Sequence, residues 1–334
     1  MSWDGRILSF GGADLRAEVR ALIAQQIVAW PMLREAVSGL AQVQLKPMRV
    51  KGTELNVQFN PMRVVSTTAR VDAASIQQRP CFLCPANLPP EEKGIAFGRD
   101  FVVLCNPFPV LPDHLVISSR EHIPQLMVDS FRDYLAVTEA LGEEWFTVYN
   151  GPRCGASAPD HLHFQACAAS AIPLFREIEG WESFQFPVTS FQQEVEVFVP
   201  AEYRVNLLAF RSSDREALVK SFEVALKSLA ELTGVGDEPL INLAATCGEN
   251  GWTVVIFPRG KHRPDCFFAE GEAKLTVSPA AIDLSGVFVT PHREHFERIT
   301  ADDVERICEE VQLDHRLFTL WVDAIRRSLW SAPA

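Results

Sequence analysis

The spacing of apolar residues changes several times along the chain, and each change marks an element. From about Ala13 to Ala41 they recur at helical intervals, through Leu15, Val19, Leu22 and Ile23, which predicts helix with a break or kink at Pro31. Gln58 to Val71 alternates and is rich in β-branched residues, which predicts strand and turn. Phe101–Cys105 and His114–Ser118 are strand-length apolar runs, separated by the loop that begins Asn106-Pro107-Phe108-Pro109. Ile123 to Leu141 returns to the helical period. Trp145–Tyr149 is strand-like and leads through Asn150-Gly151-Pro152 to the alternating stretch His161-Leu162-His163-Phe164-Gln165.

Alternate side chains of a strand share a face. His161, His163 and Gln165 therefore face one way, and Leu162 and Phe164 turn into the core. Three polar side chains in a row are costly without partners. A phosphate, a metal and a backbone carbonyl are suitable ones. A neutral imidazole attacks phosphorus when its other ring nitrogen is held by an acceptor. An amide at the next same-face position donates to a transferred phosphoryl group without adding negative charge. Two hydrogen-bonded core histidines on an ordinary strand are the bland alternative. The small-residue loop Gly155-Ala156-Ser157 ahead of the strand weighs towards chemistry.

The second half repeats this order faintly. Leu240–Ala244 and Thr253–Phe257 are apolar strands, and Pro258-Arg259-Gly260-Lys261-His262-Arg263-Pro264 follows them. A single offset places His122 on His262, Pro124 on Pro264 and strands on strands, which predicts a degenerate internal duplication. Val287-Phe288-Val289 lies where the His163 strand would recur, without its histidines, so one site per chain is expected. A last helix runs from about Ala301 to Leu329. The expected organisation is an N-terminal helical segment over 1–50, a first half over 51–195 carrying the site, and a degenerate second half over 196–334.

Composition narrows the function classes. The 334 residues are 47% hydrophobic and 22% charged, ordinary for a globular chain with a sizeable core. A net charge of −12 argues against nonspecific nucleic-acid binding, which needs a broad basic surface. No apolar run reaches membrane-spanning length and no signal peptide is evident, so a cytoplasmic protein with no membrane partner is expected.

Of the eight cysteines only Cys81 and Cys84 form a close pair, in a loop between Pro80 and Pro85. Two thiolates at that spacing reach one tetrahedral ion, and His122 and His161 are the candidate further ligands of a structural zinc. A redox pair, or two reduced thiols, remains the alternative. His292 and His295 read as surface or capping residues.

Asn-Pro-x-Arg, Cys-x-x-Cys, the Asn106-loop-His114 unit and His-x-His-x-Gln stand here in the order seen in the histidine-triad superfamily. The chain resembles the branch holding galactose-1-phosphate uridylyltransferase, diadenosine tetraphosphate phosphorylase and the GDP-sugar phosphorylases. The resemblance covers Phe59 to Gln165 well and the second half in outline. It implies an α+β fold of two fused, degenerate histidine-triad-like halves, each a mainly antiparallel sheet with helices packed on it. It implies that His163 is the nucleophile of a covalent nucleotidyl-histidine intermediate. Gln165 is then the amide that marks transferases and phosphorylases rather than hydrolases. Cys81, Cys84, His122 and His161 match the zinc ligands of the uridylyltransferases.

Asn106 matches the ribose-binding position, with Asp100 as its rival. Asn150 and Ser157 match phosphate-holding groups, although the loop from Ser157 to His161 is one residue longer than usual in that branch. Arg63 and Arg70 are candidates for an anionic leaving group or attacking phosphate. Arg259 and Lys261 are candidates to close over the same phosphates. The implied activity is transfer from a nucleoside diphosphate sugar or dinucleoside polyphosphate, with inorganic phosphate or a sugar phosphate as acceptor, by a monomer or homodimer. A nucleotide hydrolase and a non-catalytic nucleotide-binding protein are the rival readings.

Overall fold

The structure is a computed structural model and describes residues 2–68, 72–188 and 193–330. Its strands, in chain order, are β1 (Ile7–Leu8), β2 (Gln44–Val50), β3 (Thr53–Phe59), β4 (Gly94–Phe97), β5 (Phe101–Cys105), β6 (Leu115–Ser119) and β7 (Trp145–Asn150). There follow β8 (His163–Ala168), β9 (Ser183–Val188), β10 (Gln193–Phe198), β11 (Leu208–Ser212), β12 (Ile241–Gly248), β13 (Gly251–Pro258) and β14 (Val287–Thr290). One 11-stranded sheet has the order β1-β4-β5-β6-β8-β7-β12-β13-β11-β10-β9, and β14, β3 and β2 form a second, smaller sheet. The large sheet is antiparallel except where the short β1 joins β4.

The two halves of the large sheet have one topology. In the first, β4, β5 and β6 precede the helix Phe131–Leu141, and β8 inserts between β6 and β7. In the second, β9, β10 and β11 precede the helix Arg215–Thr233, and β13 inserts between β11 and β12. The halves meet where β7 pairs antiparallel with β12, Asn150 opposite Asn242. The fold is thus α+β and doubled, but with different partners from those expected. The counterpart of the His163 strand is β13. Val287–Val289 instead belongs to β14, which pairs parallel with β3 in the small sheet.

Each face of the large sheet has its own core. Phe164, Tyr134, Phe222 and Trp321 belong to the face covered by the long helices. Phe131 and Phe222, from the equivalent helices of the two halves, stack with centroids 3.9 Å apart. Burying each such ring contributes about 1.5–3 kcal/mol. The other face buries Phe146, Phe257 and Phe288 beneath the small sheet and the helix Ala301–Val311. Along β8, Phe164 and Ala166 point to the helical face, which leaves His163 and Gln165 on the opposite one.

Local sequence explains the boundaries. Asp14 caps the helix Leu15–Ala29 through Ala17 N, and Pro31 opens a second helix, Pro31–Leu40, where its missing N–H costs nothing. Two expectations fail. The strand expected over Gln58–Val71 stops at Phe59, because Asn60 caps Met62 N and Pro61 starts a 3-10 turn that runs into the helix Val64–Thr67. The helix expected from Ile123 starts only at Phe131. Pro124 disfavours helix at the residue before it. The segment's backbone is also engaged elsewhere: Ile123 O accepts from Leu162 N and Gln125 N donates to Pro159 O. His295 is buried, its Nδ1 accepting from Thr276 N, rather than being a surface residue. No helix among the described residues is long and apolar enough to cross a membrane.

Candidate functional site

The β7–β8 ladder ends at Val148 opposite Gln165, so His163 has a strand neighbour only on the β6 side, at Ser118. The buried Gln125 side chain supplies the other. His163 N donates to Gln125 Oε1 at 2.7 Å, and Gln125 Nε2 donates to the carbonyls of His163 and Asn150, both at 3.0 Å. One amide thus bridges the gap where β7 and β8 part. Gln125→Ala would leave three buried backbone groups unpaired and should destabilise the protein by about 2–4 kcal/mol. Gln125→Glu should cost a similar amount despite its shape, because an oxygen then faces two carbonyls. Urea unfolding of both variants checks this, and an intact midpoint in Gln125→Glu would refute the bridging role.

The His163 ring is set by a 2.9 Å contact from Nδ1 to His161 O. A carbonyl cannot donate, so Nδ1 carries the proton and Nε2 keeps its lone pair. Burial, with the His161 ring as a lesser like charge, pushes the His163 pKa down to about 4, against the hydrogen bond to the His161 carbonyl, so the ring is neutral at pH 7.

His114 orients Gln165. Val110 N donates to His114 Nδ1 at 3.1 Å, so the proton of this neutral ring is on Nε2. Gln165 Oε1 lies 2.8 Å from Nε2 and accepts it. Asn106 Nδ2, also a donor, is a more distant neighbour of that nitrogen at 3.3 Å, held there because Asn106 Oδ1 accepts from Phe108 N. The Gln165 oxygen is thereby occupied, and its NH2 group is the part left for a ligand. Burial is the main cause that takes His114 down to about 3, which keeps it in this single-proton form.

Cys81, Cys84, His122 and His161 converge, with all four ligand atoms within 4.8 Å of one another. Cys81 Sγ lies 3.3 Å from His161 Nδ1, and Cys84 Sγ lies 3.3 Å from His122 Nδ1 and 3.6 Å from His161 Nδ1. Zinc–sulfur and zinc–nitrogen bonds at tetrahedral angles give edges of about 3.6 Å, so the donor set fits a metal. His161 Nε2 donates to Ser119 O at 2.8 Å, which leaves Nδ1 bare for a metal. His122 Nε2 faces Asp160 at 3.5 Å. The triplet therefore divides its labour: His161, just ahead of β8, joins the cysteines, while His163 and Gln165 line a cavity.

That cavity has a volume of about 700 Å³, within the range of small-molecule sites. Arg63, Asn106, Asn150 and Ser157 line it with His163 and Gln165. Asn150 Oδ1 accepts from Asn242 Nδ2 and Ala281 N, so its own NH2 is the group turned to the cavity. Arg63 donates to Phe108 O at 2.8 Å; burial pulls its pKa down to about 10, against the pull of Asp283. Gly155 has φ +120°, and a Cβ there would meet Ala280 Cβ at 2.8 Å, so only glycine lets the Ser157 loop pack against the second half.

Three expected residues are elsewhere. Asp100 is exposed and its carbonyl accepts from Arg120 N. Lys261 pairs with Asp265 at 2.8 Å and with Glu310, away from the cavity lining. Arg259 is buried as a strut. It donates to Asn242 Oδ1 and to the carbonyls of Val311, Pro279, Lys261 and His262, and so supports Asn150 through Asn242. Arg70 lies outside the described residues. Next along the chain from Lys261, His262 and Arg263 do line the cavity, with Asp283. Sequence spacing missed them, along with Gln125, and marked His114 only as part of the Asn106-loop-His114 unit, without a role. The one available signal was the basic cluster at Arg259–Arg263, read one step out of place.

Comparison with known proteins agrees with this architecture. Residues 183–331 match the family model "GDPGP1-like, C-terminal domain", and residues 22–168 match "Domain of unknown function (DUF4922)". A search of curated protein sequences found no match. Among solved structures, yeast Ap4A phosphorylase Apa2 in complex with Ap4A superposes with a TM-score of 0.58 at 17% identity, over 88% of this chain and 97% of that one. The same enzyme in complex with AMP gives 0.52 at 17% identity, over 86% and 97%. Without these ligands it gives 0.57 at 16% identity, over 85% and 96%. The chain thus shares the fold of yeast Ap4A phosphorylase over nearly its whole length, and its second half is similar to the GDPGP1-like C-terminal domain.

Proposed function

We propose that the protein is a nucleotidyltransferase of the phosphorylase type, acting on a nucleoside diphosphate sugar or a dinucleoside polyphosphate. One observation carries this reading: His163 Nδ1 is tied to the His161 carbonyl, which leaves a neutral Nε2 beside a cavity into which Gln165 turns an amide donor. Nε2 attacks the α-phosphorus, forming a P–N bond. The bond from that phosphorus to the bridging oxygen breaks, and the sugar phosphate or nucleotide leaves with the electron pair. An oxygen of inorganic phosphate or of a sugar phosphate then attacks the same phosphorus. The P–N bond breaks and neutral His163 is restored. Gln165 and Asn150 donate to the phosphoryl oxygens as charge develops. Arg63 offers a guanidinium to the departing or arriving phosphate. The Cys81, Cys84, His122 and His161 cluster holds a structural zinc in this reading, with all four positions filled by protein.

The test is intact-protein mass after incubation with nucleoside diphosphate sugars and dinucleoside polyphosphates, without phosphate. The expected product is an added, acid-labile nucleoside monophosphate on His163 that disappears when phosphate is supplied. Turnover in water alone, unaffected by phosphate, would make the protein a hydrolase. Tight binding with no adduct from any donor would refute transfer.

A further inference from the structure

The segment that carries Gln125 is held from behind as well as by its own side chain. Tyr149, fully buried on β7, reaches it with its hydroxyl: Oη lies 3.1 Å from Gln125 O. The same Oη lies 2.6 Å from Glu238 Oε1, and Met127 N donates to Glu238 Oε2 at 2.5 Å. Glu238 is itself buried, just ahead of β12. One carboxyl of the second half is thereby tied, through a phenol and a main-chain N–H, to the stretch from Gln125 to Met127 that completes β8 around His163.

Proton counting bears on the form of that carboxyl. A phenol has one proton to donate, and here it has two acceptors within reach. If Glu238 is ionised, Tyr149 serves either the carboxylate or the Gln125 carbonyl, and the other buried oxygen loses this donor. If Glu238 is protonated, its O–H donates to Tyr149 Oη, Tyr149 donates to Gln125 O, and the remaining carboxyl oxygen accepts from Met127 N. All three contacts are then hydrogen bonds. The surroundings agree. Arg153 is the cation that faces this group, and its guanidinium donates to the Glu238 main-chain carbonyl rather than to the carboxyl. Cys154 is buried alongside, its thiol donating to Ile241 O. Desolvation pushes the Glu238 carboxyl up to about 7, against the hydrogen bonds from Tyr149 and Met127 and the pull of Arg153.

We propose that Glu238 is a positioning residue for His163: in its protonated form it completes a chain through Tyr149 to the Gln125 main chain, and so fixes the segment whose amide bridges β7 and β8. Ionisation turns the Tyr149 proton towards Glu238, and the Gln125 carbonyl is left without it in a buried position. The Gln125 side chain then loses its fixed base, and the His163 main chain loses the support that Gln125 gives it. A misplacement of about 1 Å costs on the order of 100-fold in rate, so a small shift is felt well before the fold is lost. The second half, whose equivalent strand β13 carries no histidine, in this way sets the pH range over which the nucleophile of the first half is aligned.

This inference rests on the reading of His163 as nucleophile, so its test has two separate readouts, the rate of labelling and the stability of the fold. Wild type, Glu238→Gln and Tyr149→Phe are each mixed with nucleoside diphosphate sugars, from about pH 5.5 to about pH 9, and labelling is followed by intact mass. Phosphate is left out, so that its own ionisation near neutral pH does not enter the profile. The wild-type rate should fall about 10-fold or more as the pH rises through about 7. Glu238→Gln should abolish that fall, because its NH2 donates to Tyr149 as the protonated acid does and its oxygen still accepts from Met127 N. Tyr149→Phe should be slow throughout, with no break. Asp283 and Glu92 are buried acids that line the cavity and titrate in every form, so the difference between wild type and Glu238→Gln isolates Glu238. In melting temperature, a carboxyl raised from 4.5 to about 7 by folding makes the wild type lose stability relative to Glu238→Gln as the pH rises between those values, and run parallel to it above them. A stability difference that does not change with pH overturns the assignment. So does the same fall in labelling in both proteins, and in that case transfer stands. If no donor labels His163 at any pH but the stability difference grows as expected, transfer fails and the chain from Glu238 to Gln125 stands.

Discussion

Replacing His163 with alanine should lower turnover by about 10⁴–10⁶-fold, the scale seen when a covalent nucleophile is removed, and should abolish the nucleotidyl adduct. The size follows from what remains. Gln165, Asn150 and Arg63 still line the cavity, so nucleotide binding survives, but the nitrogen that forms the P–N bond is gone. The fold should survive as well. The contacts that hold this point of β8 are made by the His163 main chain, through Gln125 and through the pairing with Ser118, and alanine keeps them. The lost ring contacts should cost only about 1–2 kcal/mol. Steady-state assays with phosphate as acceptor, run beside urea unfolding, separate the two effects. Retention of more than about one per cent of activity in a folded His163→Ala protein would exclude the covalent route.

Which parts of this site could be seen in the sequence follows from the range of the interactions. The pattern His161-Leu162-His163-Phe164-Gln165 is governed by the pleat of one strand, and period two correctly placed Phe164 in the helical core with His163 and Gln165 opposite. Cys81 and Cys84 are near neighbours in the chain, so their convergence was also readable, and His122 and His161 were found because so few histidines compete. The division of labour within the triplet was not visible. It depends on β8 beginning at His163, so that His161 sits in the preceding loop.

The repeat was misread for a related reason. Short apolar strands resemble one another, so an offset that aligned β5 and β6 with β12 and β13 looked as good as the true pairing of β7 and β8 with those strands. Gln125 illustrates the limit most clearly. Its segment has helical periodicity, but its role is to complete a strand distant in sequence, and nothing local encodes that. Arg259 and Lys261 fail for the same reason. A guanidinium in a basic loop reads as a phosphate ligand until the carbonyls that surround it are in view.

Removing the metal should have the largest effect on stability. The protein as purified should contain about one zinc per chain, and Cys81→Ser should lose it together with about 10 °C or more of melting temperature. Without an ion, the cluster buries Cys81, Cys84 and His161 with only one another and His122 as partners for their metal-facing atoms, and the loop carrying them loses its anchor. The damage should reach the nucleophile, because the carbonyl that holds His163 Nδ1 belongs to His161. Zinc-depleted protein should therefore show a reduced kcat even at temperatures where it remains folded. A structural ion with four protein ligands has no open position for substrate, whereas a catalytic one keeps a position free. Exchange of zinc for cobalt should accordingly leave kcat within a few-fold, with the cobalt spectrum reporting a tetrahedral site containing two sulfurs. A metal-free protein with an unchanged melting temperature would show that the four residues are ordinary buried side chains. A large change in kcat on cobalt exchange would show that the ion takes part in the chemistry.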